Sequence, residues 1–140
     1  MITIDAYLTG LAKLINVSAV TSLLGGKITK GAKRPDATLY PAVTVFGNPI
    51  DVGPETLLQI MDGTINIFAA SLQNGAADMP TLSAIEAQII PLVKLTSWAN
   101  GNTVCKSQLF RGSFGPFWDP LESDVHFLSL TVRSWMVDYT

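Results

Sequence analysis

The sequence predicts an α+β fold, in which a mainly antiparallel sheet of four to five strands carries two helices on one face. Alternating apolar residues over 40–46 and 63–70 are typical of half-buried strands, because successive side chains of a strand point to opposite faces. Two other stretches repeat apolar residues at the three- and four-residue steps of an amphipathic helix. With 140 residues, we expect one domain over 1–140.

The chain is predicted to begin with a helix, because aliphatic residues between positions 8 and 15 fall on one helical stripe. Asp5 is its predicted N-cap, since a carboxylate there accepts from the free backbone N–H groups of the first turn. Further helical turns over 18–24 end at two glycines, and a short strand over 27–30 follows.

Two longer strands are predicted next, over 40–46 and 57–70. Glycines and prolines within 47–55 predict a turn region between them. Inside the second strand, Asp62 and Gly63 predict a bulge or a tight turn.

A second helix is predicted from Asp78 or Thr81, because four aliphatic residues from Leu82 to Val93 repeat at helical steps. Pro91 lies inside this pattern and removes one backbone hydrogen bond. It therefore predicts a kink or the end of the regular helix.

Two strands close the predicted order of helix, three strands, helix, two strands. They cover 103–110 and 125–137, and a loop rich in glycine, proline and aromatic residues is predicted between them over 112–123. The last strand alternates most clearly, with Leu130 in the middle of its apolar face.

The composition indicates a surface that is buried in an assembly. Apolar residues make up 48% of the chain and charged residues 14%, against roughly 25% charged residues in typical soluble domains. An ordinary monomer with a large core is the alternative explanation. The net charge of −2 argues against a dedicated nucleic-acid binder, which normally carries a basic excess.

No catalytic, cofactor or metal site is predicted from the residues. His126 is the only histidine and Cys105 the only cysteine, whereas hydrolytic and zinc sites need several partners. A Cys105–His126 dyad on neighbouring strands is conceivable, but no third group that would orient it is evident. The sequence also predicts neither a signal peptide nor a transmembrane helix.

Two groups of residues are candidates for contacts with partners. Four of the nine basic residues lie within eight positions, and they are either a solvated edge or a positive patch: Lys27, Lys30, Lys33 and Arg34. Phe114, Phe117 and Trp118 stand among glycines and prolines. They are either interface anchors or part of a loop that folds back over the sheet.

The order of these elements resembles that of the tail-terminator and tail-completion (neck) proteins of long-tailed bacteriophages. The resemblance rests on the apolar N-terminal helix, a short strand near Ile28, a proline-marked strand over 40–45 and a glycine-led strand over 63–69. A loop of small residues, an amphipathic helix from Thr81 and two closing strands complete it. It spans nearly the whole chain.

The resemblance implies a non-enzymatic virion protein without cofactors. Its relatives form a ring, commonly hexameric, that caps the tail tube and offers a docking face to head-completion proteins. The implied partners are further copies of the chain, the tail tube protein and neck proteins. The resemblance further implies that genome DNA passes through the lumen without specific binding, that no membrane is involved, and that the protein belongs to the virion tail or neck after assembly in the host cytoplasm.

Within such a ring, we expect Lys30, Lys33 and Arg34 to face the lumen or a neighbouring subunit. Phe114, Phe117 and Trp118 are the expected contacts with a subunit or a neck protein. Two other classes remain open for a small cytoplasmic α+β protein. One is a monomeric binding module, and the other is an enzyme that uses Cys105 or His126.

Overall fold

The computed structural model describes residues 2–31, 39–52, 58–119 and 124–138. These ranges form helices and strands in the order α1 (Ile4–Ile15), α2 (Ser18–Thr21), β1 (Thr29–Lys30), β2 (Ala42–Val52), β3 (Leu58–Ala70), α3 (Met79–Val93), β4 (Leu95–Asn100), β5 (Thr103–Trp118) and β6 (Val125–Asp138).

The strands form one sheet in the order β1-β2-β3-β6-β5-β4, so the α+β class is confirmed. Only β1 and β2 run parallel, and the other neighbours are antiparallel. The predicted order was wrong because it omitted β4. That strand begins two residues after the end of α3, with no turn sequence to separate them. It is joined to β5 by a turn in which Gly101 has a φ of 58°.

The N-cap of α1 is Thr3 and not Asp5, contrary to the prediction. The Thr3 hydroxyl accepts a hydrogen bond from the backbone N–H of Ala6 at 3.1 Å. Asp5 lies in the first turn, where its carboxylate forms a 2.7 Å ion pair with Lys30 Nζ. This ion pair links the start of α1 to β1, next to the candidate basic patch.

Both long helices pack on the same face of the sheet. Their buried side chains join those of the strands in one apolar cluster, to which α1 contributes Tyr7, Leu8, Leu11 and Ile15, and α3 contributes Leu82, Ile85, Ile89 and Val93. The strands contribute alternate residues, among them Val43, Val45, Ile65, Ile67, Leu128, Leu130 and Val132. The opposite face of the sheet carries no helix in the described ranges.

The predicted bulge at Asp62 and Gly63 was wrong, because the register of β3 is regular there against both β2 and β6. Gly63 is needed for packing instead. A Cβ atom at this position would lie 2.5 Å from Leu11 Cδ2 and 2.9 Å from Tyr7 Oη. The glycine therefore lets α1 approach the sheet closely.

Two predicted irregular segments are largely strand. The predicted turn over 47–55 begins inside β2, which continues to Val52, while residues 53–57 lie outside the described ranges. The predicted loop over 112–123 is occupied by β5 as far as Trp118. Three shifts of register let β5 bend past its glycines and proline while it stays paired with β6.

Helix α3 starts from Asp78, its N-cap, which was one of the two predicted starting positions. The Asp78 carboxylate caps it, accepting from the backbone N–H of Thr81 at 3.3 Å and from the Thr81 hydroxyl at 2.7 Å. Pro91 lies inside the helix, which ends at Val93, two residues further on.

Candidate functional site

Cys105 and His126 do not form a dyad. Cys105 pairs with Met136 near one end of β6, whereas His126 lies near the start of that strand. Ten residue steps along β6 separate His126 from Met136, the partner of Cys105, or about 33 Å at the usual rise per residue. Burial raises the pKa of the Cys105 thiol to about 11, so the thiolate that a nucleophile would need is disfavoured.

The side-chain partner of His126 is Ser71, which no sequence motif indicated. Ser71 Oγ lies 2.7 Å from His126 Nδ1. Ser71 also donates its backbone N–H to the Asp124 carbonyl at 2.7 Å. These contacts fasten the end of β3 to the start of β6. Among the described residues, no group of three or more His, Cys, Asp or Glu side chains could hold a metal ion.

The candidate basic patch borders a groove of about 640 Å³ between α1 and β1. Lys27 and Lys30 line it together with Lys13, which sequence analysis missed because it lies in another element. Lys33 and Arg34 lie outside the described residues. The structure therefore describes half of the predicted patch and adds one lysine from α1.

The three lysines of this groove are held differently. Lys30 Nζ donates to Thr9 Oγ1 at 2.8 Å and forms the ion pair with Asp5. Within the described ranges, neither Lys13 nor Lys27 forms an ion pair. Their charges are therefore available to an external anion.

The aromatic candidates extend the end of β5. Phe117 pairs with Phe127 in the register of the sheet, and their ring centroids lie 5.4 Å apart. Phe127 also contacts Phe68 at 5.3 Å, within a small second cluster of buried apolar residues. Trp118 has 65% of its surface exposed, while Phe114 pairs with Ser129 in the register. These positions belong to a strand and not to the predicted loop.

The sheet face opposite the helices has a fixed charged pair at its centre. Arg133 donates to both carboxylate oxygens of Asp62, at 2.9 and 3.2 Å. Its guanidinium carbon also lies 3.7 Å from the centre of the Phe110 ring. The hydrogen bond to Asp62 raises the pKa of the Arg133 guanidinium. This face thus presents an ordered aromatic and charged surface.

No known protein-family profile matches the chain, and comparison with characterised proteins gives no significant match. None of the helices in the described ranges has the length and apolar character needed to cross a membrane.

Proposed function

We propose that the chain is a structural virion protein, the tail-terminator or tail-completion protein of a long-tailed bacteriophage. In this role, copies form a ring, commonly hexameric, that caps the tail tube and joins it to the head-completion proteins of the neck. The ring is assembled in the host cytoplasm and has no enzymatic activity. The proposal starts from the resemblance in element order and depends on the surfaces of the folded chain.

The observation that carries the proposal is the exposed aromatic end of β5. Trp118 is 65% exposed and Phe117 is 37% exposed, although both belong to a strand paired with β6. Large aromatic side chains held on a rigid strand are favoured interface anchors, because little conformational entropy is lost when they are covered. Phe117 and Trp118, with Phe114 on the same strand, are accordingly assigned to contact with a subunit or a neck protein.

The difference between the two faces of the sheet supports the proposal of a ring. Helices cover one face, whereas the Asp62–Arg133 pair and Phe110 lie on the other. A cyclic ring requires two different complementary surfaces on each subunit, and a sheet covered on one side supplies two unlike faces.

The basic groove is assigned to the lumen or to a neighbouring subunit. Lys30 is the described member of the candidate set, and Lys13 and Lys27 extend its positive charge. Lys33 and Arg34 complete the set in the sequence. Repeated around a ring, such a patch would attract passing DNA weakly and without sequence preference, because contacts with phosphates carry no base readout.

The test combines assembly and tail completion. Negative-stain imaging of the purified chain should reveal rings, and deletion of the gene from the phage should leave tails that are not joined to heads. Trp118→Ala should weaken assembly by about 2 kcal/mol or more. Leu23→Ala removes another exposed apolar side chain, in the segment between α2 and β1, and should leave assembly unchanged.

The role of Lys33 and Arg34 is tested separately. Lys33→Ala combined with Arg34→Ala should fold and form rings if these side chains face the lumen, since removal of surface charges costs little stability. If this double variant dissociates while Trp118→Ala assembles normally, the basic segment is the subunit contact and the assignment is reversed. A chain that stays monomeric and does not complete tails would favour the monomeric binding module.

A further inference from the structure

Among the described residues, strand β4 forms an unprotected edge of the sheet. It lies last in the strand order, and its six residues, Leu-Thr-Ser-Trp-Ala-Asn, include neither proline nor a charged side chain. Its register with β5 is regular at all six positions. Apart from that ladder, no backbone hydrogen bond from another described segment reaches residues 95–100. Edge strands without such protection are templates for pairing with another chain.

The opposite edge of the same sheet is protected in several ways. Strand β1 covers part of β2, and Gly31 donates its backbone N–H to the Val45 carbonyl at 2.7 Å. Further along, β2 contains Pro49 and a shift of register between Pro49 and Asp51. Proline, charge and irregular register all discourage strand addition. The contrast indicates that β4 differs from an ordinary solvated edge.

A groove of about 400 Å³ runs beside β4, between this strand and α1. Thr9, Gly10, Lys13, Leu14, Trp98 and Ala99 line it. The Trp98 ring is fixed there, because it stacks on Tyr7 at 6.1 Å between centroids and donates its N–H to Ser107 at 2.9 Å. A strand added to β4 could place alternate side chains in this groove, which is how strand addition acquires specificity.

The surroundings of β4 are basic although the strand itself is uncharged. Lys94 directly precedes it, Lys106 pairs with Ser97 across the ladder, and Lys13 lines the groove. Within the described ranges, none of these lysines forms an ion pair. Without them, the chain has six basic and eleven acidic residues, a net charge of −5 instead of −2. The rest of the chain is therefore complementary in charge to this edge.

We infer that the β4 edge receives an extended acidic segment of a second copy of this chain. Backbone groups of the segment pair with β4, its alternate side chains enter the groove beside Trp98, and its carboxylates meet Lys13, Lys94 and Lys106. The contact joins two different surfaces of the subunit, as a ring requires, so the inference rests on the ring proposed above.

The test measures association of the purified chain and the protection of β4. The mass from light scattering should rise with concentration and fall with added salt, because screening weakens the ionic contacts. Hydrogen exchange of residues 95–100 should become slower only in the associated state, since the added strand protects the outward amides. Association with unchanged exchange in β4 would overturn the inference and leave the ring proposal standing.

Paired variants separate the edge from the rest of the surface. Ala99→Glu should weaken association at least about tenfold, because it places a like charge against the incoming carboxylates. Ala99→Gln, of similar size and neutral, should remain within about twofold of the wild type. Equal effects of the two substitutions would contradict a charge-guided contact. Melting curves check that both variants fold.

A second pair controls for net charge. Lys106→Gln should weaken association clearly, whereas Gln73→Glu makes the same change of net charge at an exposed position away from β4 and should weaken it little. If both substitutions weaken association equally, or if the wild-type chain stays monomeric at every concentration, the inference is wrong. The ring proposal is tested separately by tail completion. A chain that is monomeric in solution and assembles only on the tail tube could still complete tails.

Discussion

The Tyr7 hydroxyl oxygen lies 2.9 Å from Ser134 Oγ, and this contact connects the first helix to the last strand. Ser134 Oγ also lies 2.7 Å from Ser107 Oγ, and Ser107 accepts the indole N–H of Trp98. Both serines are fully buried, so their hydroxyl groups depend on one another for hydrogen bonds. A polar chain of four residues therefore runs through the apolar core from α1 to β4.

Removal of the Tyr7 hydroxyl group should reduce the stability of the protein moderately. Tyr7→Phe abolishes the contact with Ser134, but Ser134 keeps Ser107 as a partner. We expect a loss of about 1 kcal/mol in the free energy of unfolding, measured by urea denaturation. Ser107→Ala should cost more, because it deprives both Ser134 and Trp98 of a partner. A larger loss of stability in Tyr7→Phe than in Ser107→Ala would contradict the proposed stabilising role of these hydrogen bonds.

Stability should decrease at alkaline pH because of two buried groups. Burial raises the pKa of Tyr7 to about 12 from 10.0, and that of Cys105 to about 11 from 9.0. The folded protein therefore retains protons that the unfolded chain releases. This contribution to stability is complete below the unfolded pKa and is lost as the pH rises through the folded pKa. Urea denaturation should reveal the decline from pH 9 to about 12.

The Tyr7→Phe variant is the control for this pH dependence. It cannot ionise at position 7, so its stability should fall less than that of the wild type between pH 10 and about 12. Identical slopes in the two proteins would mean that Tyr7 does not titrate with a raised pKa.

The close approach of α1 to β3 should not tolerate a methyl group at Gly63. In Gly63→Ala, the added Cβ lies 2.5 Å from Leu11 Cδ2, so the helix or the strand must move. Overpacking of this kind typically costs about 1–3 kcal/mol. Gly112→Ala is a matched control, because a Cβ there meets nothing within 4 Å. Thermal unfolding of the two variants should therefore differ clearly.

A charge on the helix-covered face of β6 should prevent folding. Leu130 is completely buried in the main core, so Leu130→Asp leaves an unpaired carboxylate among apolar side chains. The cost of several kcal/mol is comparable with the whole stability of a small domain. Thr131→Asp places the same group on the opposite face, across from Arg111, and should still fold. Circular dichroism and melting curves distinguish the two outcomes.

Loss of the Cys105 or the His126 side chain, the candidate nucleophile and base, should leave assembly unchanged. Cys105→Ala and His126→Ala remove side chains that lie far apart on the sheet. We expect His126→Ala to lower stability slightly through its lost contact with Ser71. Tail completion by both variants is the measurement. A folded variant that fails in this assay would point to a direct role of that side chain.

The sequence was informative wherever one face of an element is buried. Alternation around Ile65 and Leu130 predicted strands, and the aliphatic stripe that ends at Val93 predicted a helix, because burial on one side imposes a periodic pattern. It was less informative about boundaries. Thr3, and not Asp5, caps α1, since both side chains are suited to capping and the choice depends on where the chain turns.

Strand β4 and the second half of β5 could not be predicted from local patterns. Each is stabilised by hydrogen bonds to a neighbouring strand, so residues distant in sequence determine whether the segment is extended. Trp118 lies among turn-forming residues and is nevertheless held in a strand by its pairing with β6. Local propensity was overruled there by tertiary contacts.

The sequence alone determined the α+β class and the apolar faces, because burial on one face of an element requires apolar residues at a regular spacing in the sequence. Only the tertiary structure decided which residues meet across the chain. It separated Cys105 from His126, joined His126 to Ser71, and placed Lys13 beside Lys30. Contacts of this kind depend on strand order and register, which are set by the packing of the whole sheet and not by any single segment.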